Sequence, residues 1–130
     1  MYTKFAISQA DPRPMYLQIM EQIRHRIAVG DWRAGEEIPS IRALAIATRV
    51  SVITVKRAYQ ELEREGVILT RQGRGSFVAD SAGLDTRLLE RELAMHLRAA
   101  AAIAQQLELT AHDLEARMRE TQKHKGGNNR

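Results

Sequence analysis

The sequence contains no cysteine, only three prolines, 5% aromatic residues, and no apolar run approaching the ~18 residues that a membrane span needs. The missing cysteines exclude disulfide frameworks, thiolate zinc sites, iron–sulfur clusters and thiol nucleophiles together, and they predict a cytoplasmic chain. The opening Met1-Tyr2-Thr3-Lys4-Phe5-Ala6-Ile7 is too short, and too soon interrupted by polar residues, for a secretion signal. There is no glycine-rich phosphate loop, no Ser/His/Asp pattern in its usual context and no convincing carboxylate pair, so no catalytic residue is expected. His25, His96, His112 and His124 share no i,i+4 spacing and no carboxylate cluster. They predict surface or structural roles, with no metal and no cofactor.

What is present is a basic chain of 130 residues with a net charge of +4. Chains of roughly 100–150 residues usually form one domain with one modest core. The charge is unevenly placed. Between residues 39 and 78 there are 7 basic side chains (Arg42, Arg49, Lys56, Arg57, Arg64, Arg71, Arg74) against 3 acidic ones (Glu61, Glu63, Glu65). A positive excess confined to one segment points to an anionic partner for that segment.

Periodicity supplies the elements. Residues 1–13 are polar and run into Asp11-Pro12-Arg13-Pro14, whose two prolines predict an extended arm. Tyr16, Ile19, Met20, Ile23 and Ile27 recur at three- and four-residue steps and predict a helix over 15–29, closed by Gly30. Trp32 is expected in the core, and Glu36-Glu37-Ile38 reads as a short strand. Ser40 looks like an N-cap for a helix over 40–47, and Ser51 like the N-cap of one running to Glu65, stopped by Gly66. The runs 67–70 and 76–79 are β-type and flank Arg71-Gln72-Gly73-Arg74-Gly75, a hairpin tip with two cations. Helix, helix, helix and two-stranded ribbon is the order of a winged helix-turn-helix, predicted over 14–80. A longer helix over 85–108 and a final one over 111–120 follow, the latter announced by Thr110 and Asp113 as a capping pair. Residues 121–130 are polar and expected to be disordered. The fold class is therefore mostly α with a small β-hairpin: a winged helix-turn-helix followed by a two-helix tail over 84–120.

In a helix-turn-helix the second helix enters the major groove by its N-terminal end. Ser51, Thr54 and Lys56 begin that helix, and Lys56 and Arg57 can reach phosphates. The alternative is that Ser51 only caps while Lys56 and Arg57 only solvate the surface. Glu61, Glu63 and Glu65 read as solvated surface. In the tail, the leucine–alanine stripe of Leu88, Leu93, Leu97, Ala100, Ala101, Ala104 and Leu107, with Leu114 and Met118 from the last helix, is longer than that small helix can cover. It predicts burial against a second subunit or, alternatively, against the chain's own winged helix.

The segments Ile38-Pro39-Ser40-Ile41-Arg42-Ala43-Leu44-Ala45, Val50-Ser51, Thr54-Val55-Lys56-Arg57-Ala58-Tyr59, Gly66 and Arg71-Gln72-Gly73-Arg74-Gly75-Ser76-Phe77-Val78 resemble, in order and spacing, the GntR family of bacterial transcription regulators. The two-helix tail resembles that of the YtrA-type subfamily. This resemblance implies a homodimer that binds an operator in double-stranded DNA and acts as a repressor. Ser40, Arg42, Ser51, Val52, Thr54, Lys56 and Arg57 would meet the operator, and Gln72, Gly73 and Arg74 would enter the minor groove. A small-molecule effector would have room between winged helix and tail or at the dimer seam. One departure stands out. Where the family commonly places arginine and a polar residue after Ser51, this chain has Val52-Ile53, which either contact thymine methyl groups or pack inward. Rival readings are a winged-helix module for protein interaction and an architectural DNA binder without sequence preference.

Overall fold

The computed structural model describes Phe5, Ile7 and residues 13–128. Its helices are α1 (Met15–Ala28), α2 (Ile41–Thr48), α3 (Val52–Arg64), α4 (Leu84–Gln106) and α5 (Ala111–Asn128); strands β1 (Ile68–Arg71) and β2 (Gly75–Val78) lie between α3 and α4. The chain divides into two compact units, residues 1–90 and 91–130.

In the first unit, Ile19 and Ile23 of α1, Leu44 of α2, Val55 and Leu62 of α3, and Ile68 and Val78 of the ribbon close one core. Trp32 joins it as expected, and so does Leu84 at the start of α4. Pro14 enters α1 with φ −52° and ψ 142°, extended as the two prolines predict, and its carbonyl receives the amides of Leu17 and Gln18. Of the predicted arm only Phe5, Ile7 and Arg13 are described. Phe5 and Ile7 pack against the core, and the Arg26 guanidinium sits 4.4 Å from the Phe5 ring centroid. Burial lowers the pKa of Arg26, an effect that Asp31 opposes. The rest of the arm lies outside the described residues.

The ribbon is antiparallel, with Ile68 opposite Val78, Leu69 opposite Phe77, Thr70 opposite Ser76 and Arg71 opposite Gly75. The short strand read at 36–38 adds to its edge: Ile38 donates to the Ser76 carbonyl, Val78 to that of Glu36, and Glu37 bridges Phe77. Gly66 has φ +78°, the left-handed conformation that closes a helix. The amide of Val67 thereby turns back onto the Leu62 carbonyl at 2.9 Å and aims the chain into β1.

Three expectations are corrected, the first two by long-range packing and the third by contacts within one helix. Glu65 is not simply solvated: its carboxylate receives the Arg24 guanidinium through bonds of 2.6, 2.8 and 3.1 Å, fastening the end of α3 to α1. Leu88 is buried in the winged-helix core beside Leu84, so it is not part of the exposed stripe. At about 100° per residue, Leu84 and Leu88 share one side of α4, and Leu89 takes Leu88's place in line with Leu93 and Leu97. Residues 121–128 are helical, because α5 runs on to Asn128. Arg119 pairs with Glu115 at 2.9 Å, the Thr121 hydroxyl donates to the Arg117 carbonyl, and no proline interrupts the segment. Residues 129 and 130 lie outside the described residues.

In the second unit α5 follows the end of α4 through a short turn. Leu109 donates back to the Ala104 carbonyl at 2.8 Å across a left-handed Glu108, closing α4. The capping pair then starts α5 in both directions: Asp113 receives the Thr110 amide at 3.0 Å, and the Thr110 hydroxyl receives the Asp113 amide at 3.1 Å. Ala104 is buried, whereas Leu93, Leu97, Ile103, Leu107 and Met118 remain exposed.

Candidate nucleic-acid interface

Two serines fix the ends of the helix-turn-helix. Ser40 Oγ accepts the Ala43 amide at 3.0 Å and starts α2. Ser51 Oγ accepts the Thr54 amide at 3.2 Å and shares a hydrogen bond of 2.7 Å with Thr54 Oγ1. Each serine thus caps with its oxygen. The Ser40 proton, and one proton of the Ser51–Thr54 pair, stay available to donate to a phosphate or a base edge. Capping and contact are compatible uses of the same hydroxyl.

Between the helices the chain turns on Arg49, which holds φ 56° and ends α2 with its amide directed at the Ile46 carbonyl, while Val50 donates to Ala45 at 3.1 Å. Tyr59 sets the distance between α2 and α3 from below, its phenol donating to the Pro39 carbonyl at 2.6 Å within the core.

Val55, Ala58, Tyr59 and Leu62 bury one side of α3. The opposite side, at about 100° per residue, carries Ile53, Lys56, Arg57, Gln60 and Arg64, all of them exposed. Val52 and Ile53 do not pack inward: they are 47% and 79% exposed. Arg57 is more than a solvated cation, because its guanidinium stacks 4.0 Å from the Tyr16 ring centroid and is held there by α1. Arg64 is drawn to Glu61 at 3.3 Å. Arg42, Arg49, Lys56 and Arg74 are exposed and make no ion pair among the described residues.

The wing tip is a turn in which Arg74 donates to the Arg71 carbonyl at 2.9 Å and Gly73 holds φ +77°, a conformation that favours glycine. Gln72 and Arg74 stand exposed on either side of Gly73. Arg71 leans over Phe77, 5.9 Å from its ring centroid, and both wing cations are exposed. Between wing and α3 runs an open groove of about 440 Å³, bordered by Lys56, Gln60, Glu63, Thr70 and Gln72.

The structure therefore brings Ser51, Val52, Thr54, Lys56 and Arg57 together on one helix end, with Arg42 on α2 and Gln72, Gly73 and Arg74 on the wing. Sequence reading missed Gln60 and Arg49. Gln60 lies one turn beyond Lys56 on the same face, which a helical wheel would have shown. Arg49 occupies a left-handed position that glycine or asparagine usually fills, so no local signal marks it. Among the described residues no group of three or more His, Asp or Glu could hold a metal ion. No described helix is long and apolar enough to cross a membrane.

Residues 15–78 match the bacterial regulatory proteins of the gntR family. The HTH-type transcriptional repressor YtrA of Bacillus subtilis is 40% identical over 90 residues, covering 67% of this chain and 68% of that protein. A GntR family transcriptional regulator from Listeria monocytogenes has a similar structure, with a TM-score of 0.76 at 26% identity over 85% of this chain and 96% of that one. AraR(DBD), solved in complex with operator ORX1, gives 0.55 at 28% identity over 60% of this chain and 100% of its own. The chain spans 65% of the length of another Bacillus subtilis regulator of this type and 14% of a long Escherichia coli one. With segments, spacing and fold in agreement, the chain belongs to the gntR family of bacterial regulatory proteins.

Proposed function

We propose that the protein is a homodimeric transcriptional repressor that binds a near-palindromic operator and excludes transcription sterically. One observation carries the reading: Arg42, Lys56 and Arg74 project, without ion-pair partners among the described residues, from a helix-turn-helix and wing whose helix starts are both capped by serine. Unpaired cations on a fixed frame suit phosphates at a fixed spacing. In this reading α3 lies in the major groove, and Gln72, Gly73 and Arg74 follow the minor groove, where a glycine permits close backbone approach. The operator complex of AraR(DBD) and the repressor name of YtrA support it by analogy.

Dimerisation rests on the exposed apolar stripe of α4. Leu93 and Leu97 are 55% and 48% exposed and continue through Ala100 and Ala101 to Leu107, with Leu114 and Met118 on α5; Ala104, expected in the stripe, is already buried within the chain and is not free for a second copy. The alanines permit close helix approach, and a second copy offers the same stripe in return.

The test is selection of duplexes from a random-sequence pool by the full chain, followed by anisotropy titration of the selected duplex against a scrambled one at two salt concentrations. A preference of about 10³ or more, with two-fold symmetry in the selected sequence, is expected. Equal affinity for both duplexes would favour an architectural DNA binder. No binding at low salt would favour a protein-interaction module. Sedimentation of a Leu93→Glu/Leu97→Glu variant checks the dimer, which should dissociate.

A further inference from the structure

The first turn of α3 presents two aliphatic β-branched side chains to solvent at the end that would enter the groove. Val52 follows the Ser51 cap, and Ile53 is as exposed as any large apolar side chain described. Single exposed aliphatics are ordinary on a protein surface. These two are adjacent, and they are flanked by cations: Arg49 in the preceding turn, Lys56 four residues after Val52, and Arg57 four residues after Ile53. An anionic partner would bring its surface against them. Neither side chain can donate or accept a hydrogen bond, so neither can read the polar pattern of a base edge. The one apolar group on the major-groove edge of a base pair is the thymine C5-methyl. Branching at Cβ already restricts χ1, so little rotamer freedom is lost when such a methyl is covered.

We propose that Val52 and Ile53 are specificity-determining residues that read thymine methyl groups, so that each operator half-site carries thymine where the start of α3 meets the bases. The inference rests on the operator-binding reading above and adds its base preference. Lys56 and Arg57 supply affinity to phosphates on either side, and the choice of base pair falls to the apolar pair.

The experiment uses the operator selected with the full chain. Each thymine is replaced in turn by deoxyuridine, which deletes only the methyl group, and binding is measured for the unaltered protein, for Ile53→Ala, for Val52→Ala and for Lys56→Ala. For the unaltered protein, deoxyuridine at one or two positions in each half-site should weaken binding about fourfold per methyl. Ile53→Ala or Val52→Ala should bind more weakly and lose the distinction at its own position. Lys56→Ala should lose affinity yet keep the thymine-to-deoxyuridine ratio, which separates readout from electrostatics. Both aliphatic side chains are exposed, and unchanged thermal midpoints will show that these variants fold. A selected operator indifferent to every replacement, or a ratio that survives in both Ile53→Ala and Val52→Ala, overturns this inference and leaves the regulator reading standing. A pool that yields no enriched sequence overturns both.

Discussion

The Tyr59 phenol and the Pro39 carbonyl meet at 2.6 Å inside the core, joining the middle of α3 to the residue before the cap of α2. The bond spans 20 residues of sequence and fixes the separation of α2 and α3 from their buried side. Tyr59→Phe keeps the ring and removes the donor, leaving a buried carbonyl to be satisfied otherwise. The expected loss is about 1–3 kcal/mol. It should appear in calorimetry as a lower thermal midpoint, and an unchanged midpoint would contradict it.

Arg24 and Glu65 form a second long-range fastening, and its environment separates it from the other ion pairs. The Arg24 side chain is 7% exposed and that of Glu65 40%, so the pair is neither fully buried nor freely solvated. Glu65→Gln should cost about 1–2 kcal/mol, below the full penalty of a stranded buried charge because water reaches the carboxylate. Arg24→Met combined with Glu65→Gln should recover part of that loss. By contrast, Arg64→Ala and Arg119→Ala disrupt exposed pairs and should each shift stability by less than about 1 kcal/mol. Urea titration of the four variants checks this ordering.

Much of the frame was legible because its signals are local. Ser40, Ser51 and the Thr110–Asp113 pair lie within three residues of the amides they satisfy, and Gly66 sits two residues beyond the last residue of α3. The contacts that redefine the site are not local: Arg24 with Glu65 and Arg57 with Tyr16 each join residues 41 apart in the chain, and no periodicity encodes them. Leu88 and Leu89 illustrate a second limit. Both are leucines on one helix, and only the packing of its first turns on the winged-helix core decides which one is left for the exposed stripe.

The start of α5 carries a pH dependence whose sign follows from its cap. The Thr110 amide, donating to the Asp113 carboxylate, holds that group below the usual carboxylate range. A depressed folded-state pKa means that the cap contributes fully above the ordinary value of about 3.9 and is lost as pH falls through the lower folded value. Helicity of the tail should therefore decline at the acid end of a circular dichroism titration. Asp113→Asn should remove the part of that decline that comes from this cap, and an unchanged acid limb in the variant would show that the cap does not set it.

Arg49 provides the sharpest separation of stability from binding. It holds φ 56°, a conformation that costs an ordinary L-residue roughly 1–2 kcal/mol and glycine little. Its side chain is exposed and makes no ion pair among the described residues, so no ion pair among them accounts for arginine here. If the cation serves a phosphate at the turn of the helix-turn-helix, Arg49→Gly should raise the thermal midpoint while weakening operator binding and reducing the salt slope by about 1. Arg49→Ala removes the same charge but keeps the strain, so it should bind as weakly as Arg49→Gly and melt lower than it does. Equal midpoints for the two variants would remove the strain from the argument. Operator affinity retained in both would show that the Arg49 cation makes no contact with the DNA backbone.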